Sequence, residues 1–216
     1  MSVQEGTPSS RLVLDVYKRL RQEIVTGQLR PNQPIVEADV AQRLGMSRTP
    51  VRESLQRLAM DGLVVSQRRR WVVYEHSAEE VRHIYEVRAA LEGEAAKLAC
   101  ERITERDLAR LKELEPQATS FHMVARDERV AINDQFHRHI AESAHNPRLA
   151  DMLEQNKLYF FNRQIAAMYS ADELAASSRQ HEQLVAAIVQ RDGERARKIA
   201  SQHVTDALNQ VMDKMF

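Results

Sequence analysis

The stretch between Val36 and Leu58 constrains the fold of this chain more than any other. Apolar residues recur at helical spacing on both sides of Gly45, a residue that can adopt the left-handed conformation that ends a helix. Ser47 is a good N-cap for the second helix, because its hydroxyl can accept a hydrogen bond from a first-turn amide. Pro50 falls within that first turn, where a missing N–H costs little. The pattern predicts two short helices joined by a tight turn, a helix-turn-helix.

The second of these helices carries basic residues on its outer face. Arg48 and Arg52 are four residues apart and share a face, with Thr49 beside them. A helix that buries one side and offers these residues at its N-terminal end suits the major groove of DNA. Two β-prone segments then flank the basic run 67–70, which predicts a hairpin wing with Arg69 in its tip. Periodicity alone leaves a solvated αα-hairpin open, but the three parts in this order favour DNA binding.

Residues 30–64 resemble the winged helix of GntR-type transcription regulators. The resemblance rests on the run 45–53, Gly-Met-Ser-Arg-Thr-Pro-Val-Arg-Glu, and on the run 61–64, Asp-Gly-Leu-Val. In that family the residues that match the two arginines and the threonine named above touch DNA. The family's wing tip usually contains glycine, whereas this chain has Arg-Arg-Arg-Trp at 68–71. This departure from the family pattern favours wing contacts with DNA through side chains over contacts through bare backbone.

Composition favours a helix-rich protein with a basic front. Hydrophobic residues make up 43% of the 216 positions and aromatic residues only 5%. The net charge is zero, but residues 1–75 carry 12 Lys and Arg against 8 Asp and Glu, and the remainder carries 19 against 23. This asymmetry offsets the argument that zero net charge makes against a nucleic-acid partner.

Several features indicate a cytoplasmic protein. The single cysteine, Cys100, excludes an internal disulfide and fits a reducing cytosol. No N-terminal run resembles a signal peptide, and no apolar stretch approaches transmembrane length. We therefore expect no membrane partner.

The order of the patterns predicts a mainly α protein with two domains. Residues 1–9 are expected to be a disordered tail. Residues 10–75 form the winged-helix domain, in which a first helix at 10–26 carries Leu14 on its apolar face and residues 28–35 are a connector. Residues 77–216 form an all-α antiparallel bundle. Its helices are predicted at 77–102, 104–119, 127–145, 148–168, 172–191 and 193–215.

Polar residues on the apolar stripes are the informative feature of the helical domain. Asn133 and His137 are four apart on one stripe, and His181 and His203 lie on the stripes of the last two helices. They are expected to point into one bundle interior, where burial without partners is expensive. The pattern predicts a divalent metal, Zn or Ni first and Mn or Fe next, with satisfied core histidines as the alternative. The histidines expected to be solvated are His83, His139 and His145.

Arg88 is a second polar residue on an apolar stripe. It can snorkel to the surface, pair with Glu92, or face a cavity and take a carboxylate bidentately. A metal with open positions beside an arginine describes a pocket for a small organic acid. The aromatic residues expected to be core or pocket lining are Tyr159, Phe160 and Phe161.

Residues 77–215 resemble the effector domain, called FCD, of the FadR-like branch of GntR regulators. Metal-binding members carry Asp or Asn, a histidine four residues later, and two further histidines on the last two long helices. The amide and the three histidines above match those positions. Asn133 stands where Asp is commoner, and Asp134 is its neighbour, so the choice of oxygen ligand between them stays open. The family senses carboxylate metabolites, which fits Arg88 as an effector contact.

Together these patterns predict a ligand-responsive transcription regulator, a repressor that binds a near-palindromic operator as a homodimer. A metabolite bound near the three histidines would shift the relative placement of the two winged helices. One rival is a metal-dependent hydrolytic enzyme, since three histidines and an open position also describe a zinc site. The stripes carry no obvious general base, so we predict no enzyme. The other rival is a regulator in which the ion itself is the effector.

Overall fold

The computed structural model describes residues 8–120, 123–156 and 168–216. In these ranges the chain is mainly helical, with nine helices and one three-stranded sheet, which confirms the predicted fold class. The chain divides into two compact units, residues 1–76 and 77–216. Over the described residues, no helix combines the length and the apolar character needed to cross a membrane. The aromatic residues at 159–161 lie outside these ranges.

The first unit is built around a helix-turn-helix. Gly45 ends the first helix of that motif in the left-handed conformation, with φ 66°, and its N–H points back to the carbonyls of that helix. Leu20, Leu55 and Leu58 are fully buried in one core that draws on all three helices of the unit. These helices are α1 (Pro8–Val25), α2 (Glu37–Leu44) and α3 (Arg48–Met60), and the strands are β1 (Pro34–Ile35), β2 (Val64–Gln67) and β3 (Arg70–Val73).

The structure differs from the predicted first unit in two places. Helix α1 begins at Pro8, inside the predicted tail, since proline is well tolerated in a first helical turn. Its buried face contains Val13 and Val16, whereas Leu14 is 39% exposed, so the predicted position of Leu14 on the apolar face is wrong. The predicted connector contains β1, which pairs antiparallel with β3 and completes a sheet of order β1-β3-β2.

The wing is a hairpin with a two-residue turn. Strands β2 and β3 pair antiparallel, with Gln67 opposite Arg70. Arg68 and Arg69 form the turn with φ values of 48° and 64°. Positive φ at both central residues is the signature of a type I′ turn, whose twist matches that of the strands. The sequence places two arginines where asparagine and glycine are usual.

The second unit is a bundle of six helices within the described residues. Capping boxes start three of them, at Ser77, Thr104 and Ser170, and each hydroxyl accepts from the amide three residues on. The predicted helix at 148–168 ends early, because Asn156 is a C-cap, and residues 157–167 are not described. The helices are α4 (Ala78–Arg102), α5 (Glu105–Ala118), α6 (Arg126–Ser143), α7 (Pro147–Gln155), α8 (Ala171–Val189) and α9 (Gly193–Met215).

Helices α4 and α9 approach each other closely at Gly93. A Cβ atom at this position would lie 2.3 Å from Oγ of Ser201 and 3.2 Å from the carbonyl oxygen of Arg197. The Ser201 hydroxyl donates to the carbonyl of Ala89, 2.9 Å away, and so ties the two helices together. Glycine is thus required here by space rather than by backbone conformation.

Candidate nucleic-acid interface and metal centre

Helix α3 presents its N-terminal end to solvent. Arg48, Thr49 and Arg52 are exposed, while Val51 on the opposite face is fully buried. Ser47 occupies the N-cap position with an extended backbone, but its hydroxyl makes no capping hydrogen bond, so that part of the prediction is wrong. The third helical residue is proline, which has no N–H to donate to the hydroxyl.

Glu37 holds the guanidinium of Arg52. Arg52 donates from Nε to both carboxylate oxygens at 3.1 Å and from Nη2 to Oε2 at 2.8 Å. The indole Nε1 of Trp71 donates to Oε1 of the same carboxylate at 3.1 Å. The hydrogen bond from Arg52 holds the pKa of Glu37 below its ordinary value, with a further contribution from Trp71. Sequence reasoning missed Glu37, whose position in a first helical turn indicated only a favourable helix charge.

The wing tip adds a second basic surface in the same unit. Arg68, Arg69 and Arg70 are all exposed, and the first two lie in the turn itself. Their side chains are therefore available to a polyanion, which fits the predicted use of Arg69.

In the second unit, three histidines from three helices come together. His137 lies on α6, His181 on α8 and His203 on α9, and one ligand nitrogen from each lies within 4.8 Å of the other two. Asn133 is half-buried one turn before His137 on α6. Asp134 lies outside the group of three. Burial lowers the pKa of the Arg88 guanidinium, but Glu92 raises it above its ordinary value, and the charge of Asp134 adds to that effect.

Each of these imidazoles has an oxygen acceptor at its Nδ1 atom. An oxygen that carries no hydrogen can only accept, so each neutral ring holds its proton on Nδ1 and its lone pair on Nε2. The Nε2 atoms of His137 and His181 are 3.2 Å apart. Two lone pairs at this distance repel unless a proton or a metal cation lies between them. The acceptors are the carbonyl of Ala118 for His181 at 2.8 Å, Oε1 of Gln180 for His203 at 2.8 Å, and Oε2 of Glu92 for His137 at 3.2 Å.

The amide of Gln180 is oriented by a second contact. Its Nε2 donates to Oδ2 of Asp206 at 2.6 Å, and a carboxylate oxygen only accepts, so Oε1 must face His203. Gln202 donates to the other oxygen of Asp206 at 2.8 Å and holds that carboxylate in turn. The ring orientation of His203 therefore depends on a chain of three side chains.

The histidine environment keeps two of the rings neutral. Burial, with the neighbouring His137 ring, lowers the pKa of His181 to about 3. Burial also lowers the pKa of His203 well below its ordinary value. Metal ions bind neutral imidazole, so protons do not compete for these two ligands near neutral pH.

Arg88 and Glu92 form a buried ion pair beside the cluster. Nε of Arg88 lies 2.8 Å from Oε1 of Glu92, and the two residues are 8% and 9% exposed. Burial alone would raise the pKa of Glu92, but Arg88 and His137 together hold it well below its ordinary value. Of the alternatives for Arg88, the structure shows pairing with Glu92. Sequence reasoning missed the contact of Glu92 with His137, although i,i+4 spacing to Arg88 was visible.

The remaining predicted histidines differ from one another. His83 is exposed, as predicted. His139 is half-buried with Nε2 2.8 Å from the carbonyl of Asp107, so the prediction that it is solvated is wrong. His145 is exposed but lies 2.9 Å from a carboxylate oxygen of Asp107.

Two clefts reach the histidine cluster. One, of about 370 Å³, is lined by Glu92 and His137 together with residues of α6 and α7. The other, of about 380 Å³, is lined by Gln180 and His203 together with residues of α8 and α9. Both are large enough for a small organic molecule.

Two family models match the chain. The model for the FCD domain matches residues 83–206, which is more than half of the chain, and the model for bacterial regulatory proteins of the gntR family matches residues 12–73. The chain belongs to the GntR family. It is a DNA-binding transcription regulator with a GntR winged helix and an FCD domain.

Individual relatives of this GntR regulator are similar along most of its length. An uncharacterized HTH-type transcriptional regulator of Bacillus subtilis, YdhC, is 30% identical, over 88% of this chain and 86% of its own. The transcriptional repressor RspR of Escherichia coli is 27% identical, over 92% of this chain and 88% of its own. The structure of E. coli McbR superposes with a TM-score of 0.79 at 25% identity, covering 95% of this chain and 99% of that one. The relatives are regulators, so the prediction of no enzyme is confirmed.

Proposed function

We propose that this GntR regulator is a cytoplasmic repressor that binds operator DNA through the N-terminal end of α3 and the tip of the wing. Arg48, Arg52 and Thr49 are exposed on one face of α3 and would meet base edges and phosphates in the major groove. Ser47 has a hydroxyl not used in capping and would add a phosphate contact. Arg69, in the wing turn, would contact the backbone. The similarity to the repressor RspR supports the direction of regulation.

The DNA contacts can be tested by mobility shift. Arg48→Ala or Arg52→Ala should weaken binding to a selected operator at least about tenfold, since a good bidentate base contact is worth about 1–3 kcal/mol. Arg30→Ala, which removes the same charge from the exposed connector, is the matched control. Unchanged affinity in both α3 variants would contradict this assignment.

We also propose that the protein acts as a homodimer. One short recognition helix offers few contacts, and two half-sites raise both affinity and specificity. Sedimentation of the full chain should give twice the monomer mass at the concentrations used for DNA binding. A monomer that binds the operator with full affinity would contradict the proposal.

For the helical unit, we propose that His137, His181 and His203 bind one divalent metal ion, Zn or Ni before Mn or Fe. The observation that carries the proposal is the arrangement of the rings, with every Nδ1 committed to an oxygen and two Nε2 atoms 3.2 Å apart. Zn–N bonds of about 2.0–2.1 Å in a tetrahedron separate two ligand nitrogens by about 3.3 Å. Asn133, or Asp134 in its place, would supply an oxygen ligand. The ion would supply an open coordination position for an acidic effector.

The metal proposal can be tested by elemental analysis and calorimetry. Protein purified without chelator should contain about one metal ion per chain, and His137→Ala with His181→Ala should lose it. His83→Ala, which alters an exposed histidine of the same unit, should retain the ion. Zn at 100 times its Kd should stabilise the wild type by about 2.7 kcal/mol. A metal-free wild type that zinc does not stabilise would leave core histidines as the explanation.

We further propose that the effector is a small carboxylic acid that binds the metal and reaches Arg88. Arg88 donates through Nε to Glu92. Its other N–H groups would donate to a ligand carboxylate, and the Glu92 side chain would move to admit the ligand. The cleft lined by Glu92 and His137 would provide the room.

Thermal-shift screening with small mono-, di- and tricarboxylic acids, with and without Zn or Ni, tests this proposal. A hit should require metal. Arg88→Met combined with Glu92→Gln, whose amide oxygen can still accept from Nδ1 of His137, should abolish the response to acid while retaining the response to metal. If metal alone changes operator affinity and no acid stabilises the protein, the ion itself is the effector.

A further inference from the structure

The carboxylate of Glu37 lies where three elements of the winged helix meet. Glu37 is the first residue of α2, Arg52 lies on α3 and Trp71 lies on β3, beside Ile35 of β1 in the sheet. The side chain of Glu37 is 21% exposed, whereas that of Arg52 is 59% exposed. Trp71 of the wing strand therefore holds the Glu37 carboxylate in place through its indole N–H. The carboxylate in turn holds the more exposed guanidinium of Arg52.

The geometry of this contact determines which edge of the guanidinium stays available. Glu37 occupies Nε and Nη2, the side edge of Arg52. The end edge, formed by Nη1 and the second hydrogen of Nη2, still carries parallel N–H donors. A pair of parallel donors is the arrangement that contacts O6 and N7 of guanine in the major groove.

A carboxylate on this surface has an electrostatic cost. It lies among Arg52 and Arg48, whose charges both act on it, and it would face phosphates when α3 enters the groove. Removing such a charge should by itself raise affinity for any duplex. A negative group at this place is therefore useful to DNA binding only if it does something other than add affinity.

We propose that Glu37 is a positioning residue that aims the end edge of Arg52 at one guanine in each operator half-site, and that Trp71 holds Glu37 in place. The inference rests on the proposed entry of α3 into the major groove. On this proposal, Glu37 lowers the affinity for DNA of any sequence and raises the preference for guanine at one position. Trp71 links that preference to the base of the wing.

Selection from a randomised duplex pool, followed by sequencing, measures preference at every base pair for each full-length variant. The variants are Glu37→Ala, Glu37→Gln, Trp71→Phe and Arg52→Ala. Glu53→Gln is the matched control, because Glu53 is an exposed glutamate on α3 itself. Affinity for a scrambled duplex is measured in parallel across salt concentrations, and thermal unfolding verifies that each variant is folded.

Glu37→Ala should lose about tenfold of the preference for guanine at one position per half-site, the value of one bidentate contact. Other positions should keep their preference, and affinity for scrambled duplex should rise. Glu37→Gln and Trp71→Phe should lose less, and Glu53→Gln should show the rise alone. A purely structural role would instead lower specific and non-specific binding together.

Two outcomes would overturn the inference, and they differ in meaning. If Arg52→Ala alters the selected sequence and neither Glu37 variant does, Arg52 reads a base without being aimed by Glu37. If Arg52→Ala also leaves the selected sequence unchanged, the proposed contact of Arg52 with DNA is itself wrong.

Discussion

Arg88 and Glu92 form a buried ion pair in the helical unit, and their effects on stability are expected to be coupled. Both are buried, and they meet through one hydrogen bond of 2.8 Å between Nε and Oε1. The attraction within such a pair roughly offsets the free energy of removing both charges from water. Removal of one partner leaves the other buried without its hydrogen-bonded opposite charge. The pair therefore acts as a single unit in the free energy of unfolding.

We predict that Glu92→Ala lowers the free energy of unfolding by about 3–5 kcal/mol, because it leaves the Arg88 guanidinium buried without its hydrogen-bonded carboxylate. Arg88→Met with Glu92→Leu should destabilise the protein much less than either single change. Urea unfolding monitored by circular dichroism gives both values. Additive effects of the two single changes would show that the residues do not interact.

The same pair predicts a dependence of stability on pH. Because the pKa of Glu92 in the folded protein is held below its ordinary value of 4.5, its contribution to stability is complete above that pH. The contribution is lost as pH falls below about 4.5 toward the folded-state pKa, as protons bind the unfolded chain first. Urea midpoints between pH 3 and pH 7 should fall more steeply at the acid end in wild type than in the Met and Leu double variant.

Side-chain patterns predicted the residues of the site better than their partners. The spacing of His137, His181 and His203 on apolar stripes was sufficient to predict that they converge. The carbonyl of Ala118, which fixes His181, is a backbone atom and leaves no trace in residue identity. The loss of the cap at Ser47 was in principle predictable, since Pro50 is the third helical residue and has no N–H.

At the level of elements, the wing turn has a strained backbone because arginines occupy its two central positions. Arg68 and Arg69 both have positive φ, which costs a residue with a side chain about 1–2 kcal/mol relative to the right-handed region. Asparagine and glycine adopt this turn at lower energy. Two arginines at the tip are unfavourable for folding, but they place two positive charges in an exposed turn, where the proposed wing contact with DNA would form.

We predict that Arg68→Asn with Arg69→Gly raises the free energy of unfolding by about 1 kcal/mol and weakens DNA binding. The slope of log affinity against log salt should become shallower by up to about two, one for each lost phosphate contact. Thermal unfolding and mobility shift at several salt concentrations measure the two effects. A variant that is less stable than wild type would show that the arginines stabilise the turn.

The contact between α4 and α9 gives a second prediction for elements. Gly93→Ala should destabilise the protein by about 1–3 kcal/mol, although alanine favours a helix by about 1 kcal/mol, because the new methyl group meets Ser201 and a backbone carbonyl. Combining it with Ser201→Ala removes the nearest contact and should recover most of the loss. Chemical denaturation of the single and double variants measures the free energy of unfolding of each and so tests this recovery. Equal stability of the two would assign the effect to the carbonyl of Arg197.

Helix starts were predictable because capping residues announce them within four positions. Ser77 with Glu80 and Thr104 with Asp107 form capping boxes at the starts of α4 and α5, and both residue pairs are visible in the sequence. Strand β1 was not predictable, since two residues are too few to show alternation, and its pairing with β3 depends on residues far along the chain. The end of α7 at Gln155 interrupts an apolar periodicity that continues in the sequence.

At the scale of the whole molecule, each unit has a hydrophobic core of its own. The core of residues 1–76 and the cores of residues 77–216 share no member. The histidine cluster and its oxygen acceptors all belong to the second unit. The proposed contacts with DNA and the proposed metal site therefore lie in different units of the chain.

We predict that residues 77–216, produced alone, fold and bind zinc with the affinity of the full chain, since every contact of the cluster is retained. The fragment should be unable to shift operator DNA. Calorimetry of zinc binding to the fragment and the full chain tests this, with His203→Ala in both as the control. A loss of zinc affinity of more than about tenfold in the fragment would show that the winged helix supports the site.

The three histidine rings of the cluster differ in how easily a substitution elsewhere in the chain can remove the acceptor at Nδ1. The acceptor for His181 is a main-chain carbonyl at the end of α5, where a helix has carbonyls without internal partners, and this contact uses no side-chain atom of Ala118. The acceptor for His203 survives only while Gln180 and Asp206 are both kept. Random mutagenesis should therefore disturb His203 more often than His181. If the cluster binds metal as proposed, substitutions at Gln180 and Asp206 should weaken that binding by different amounts.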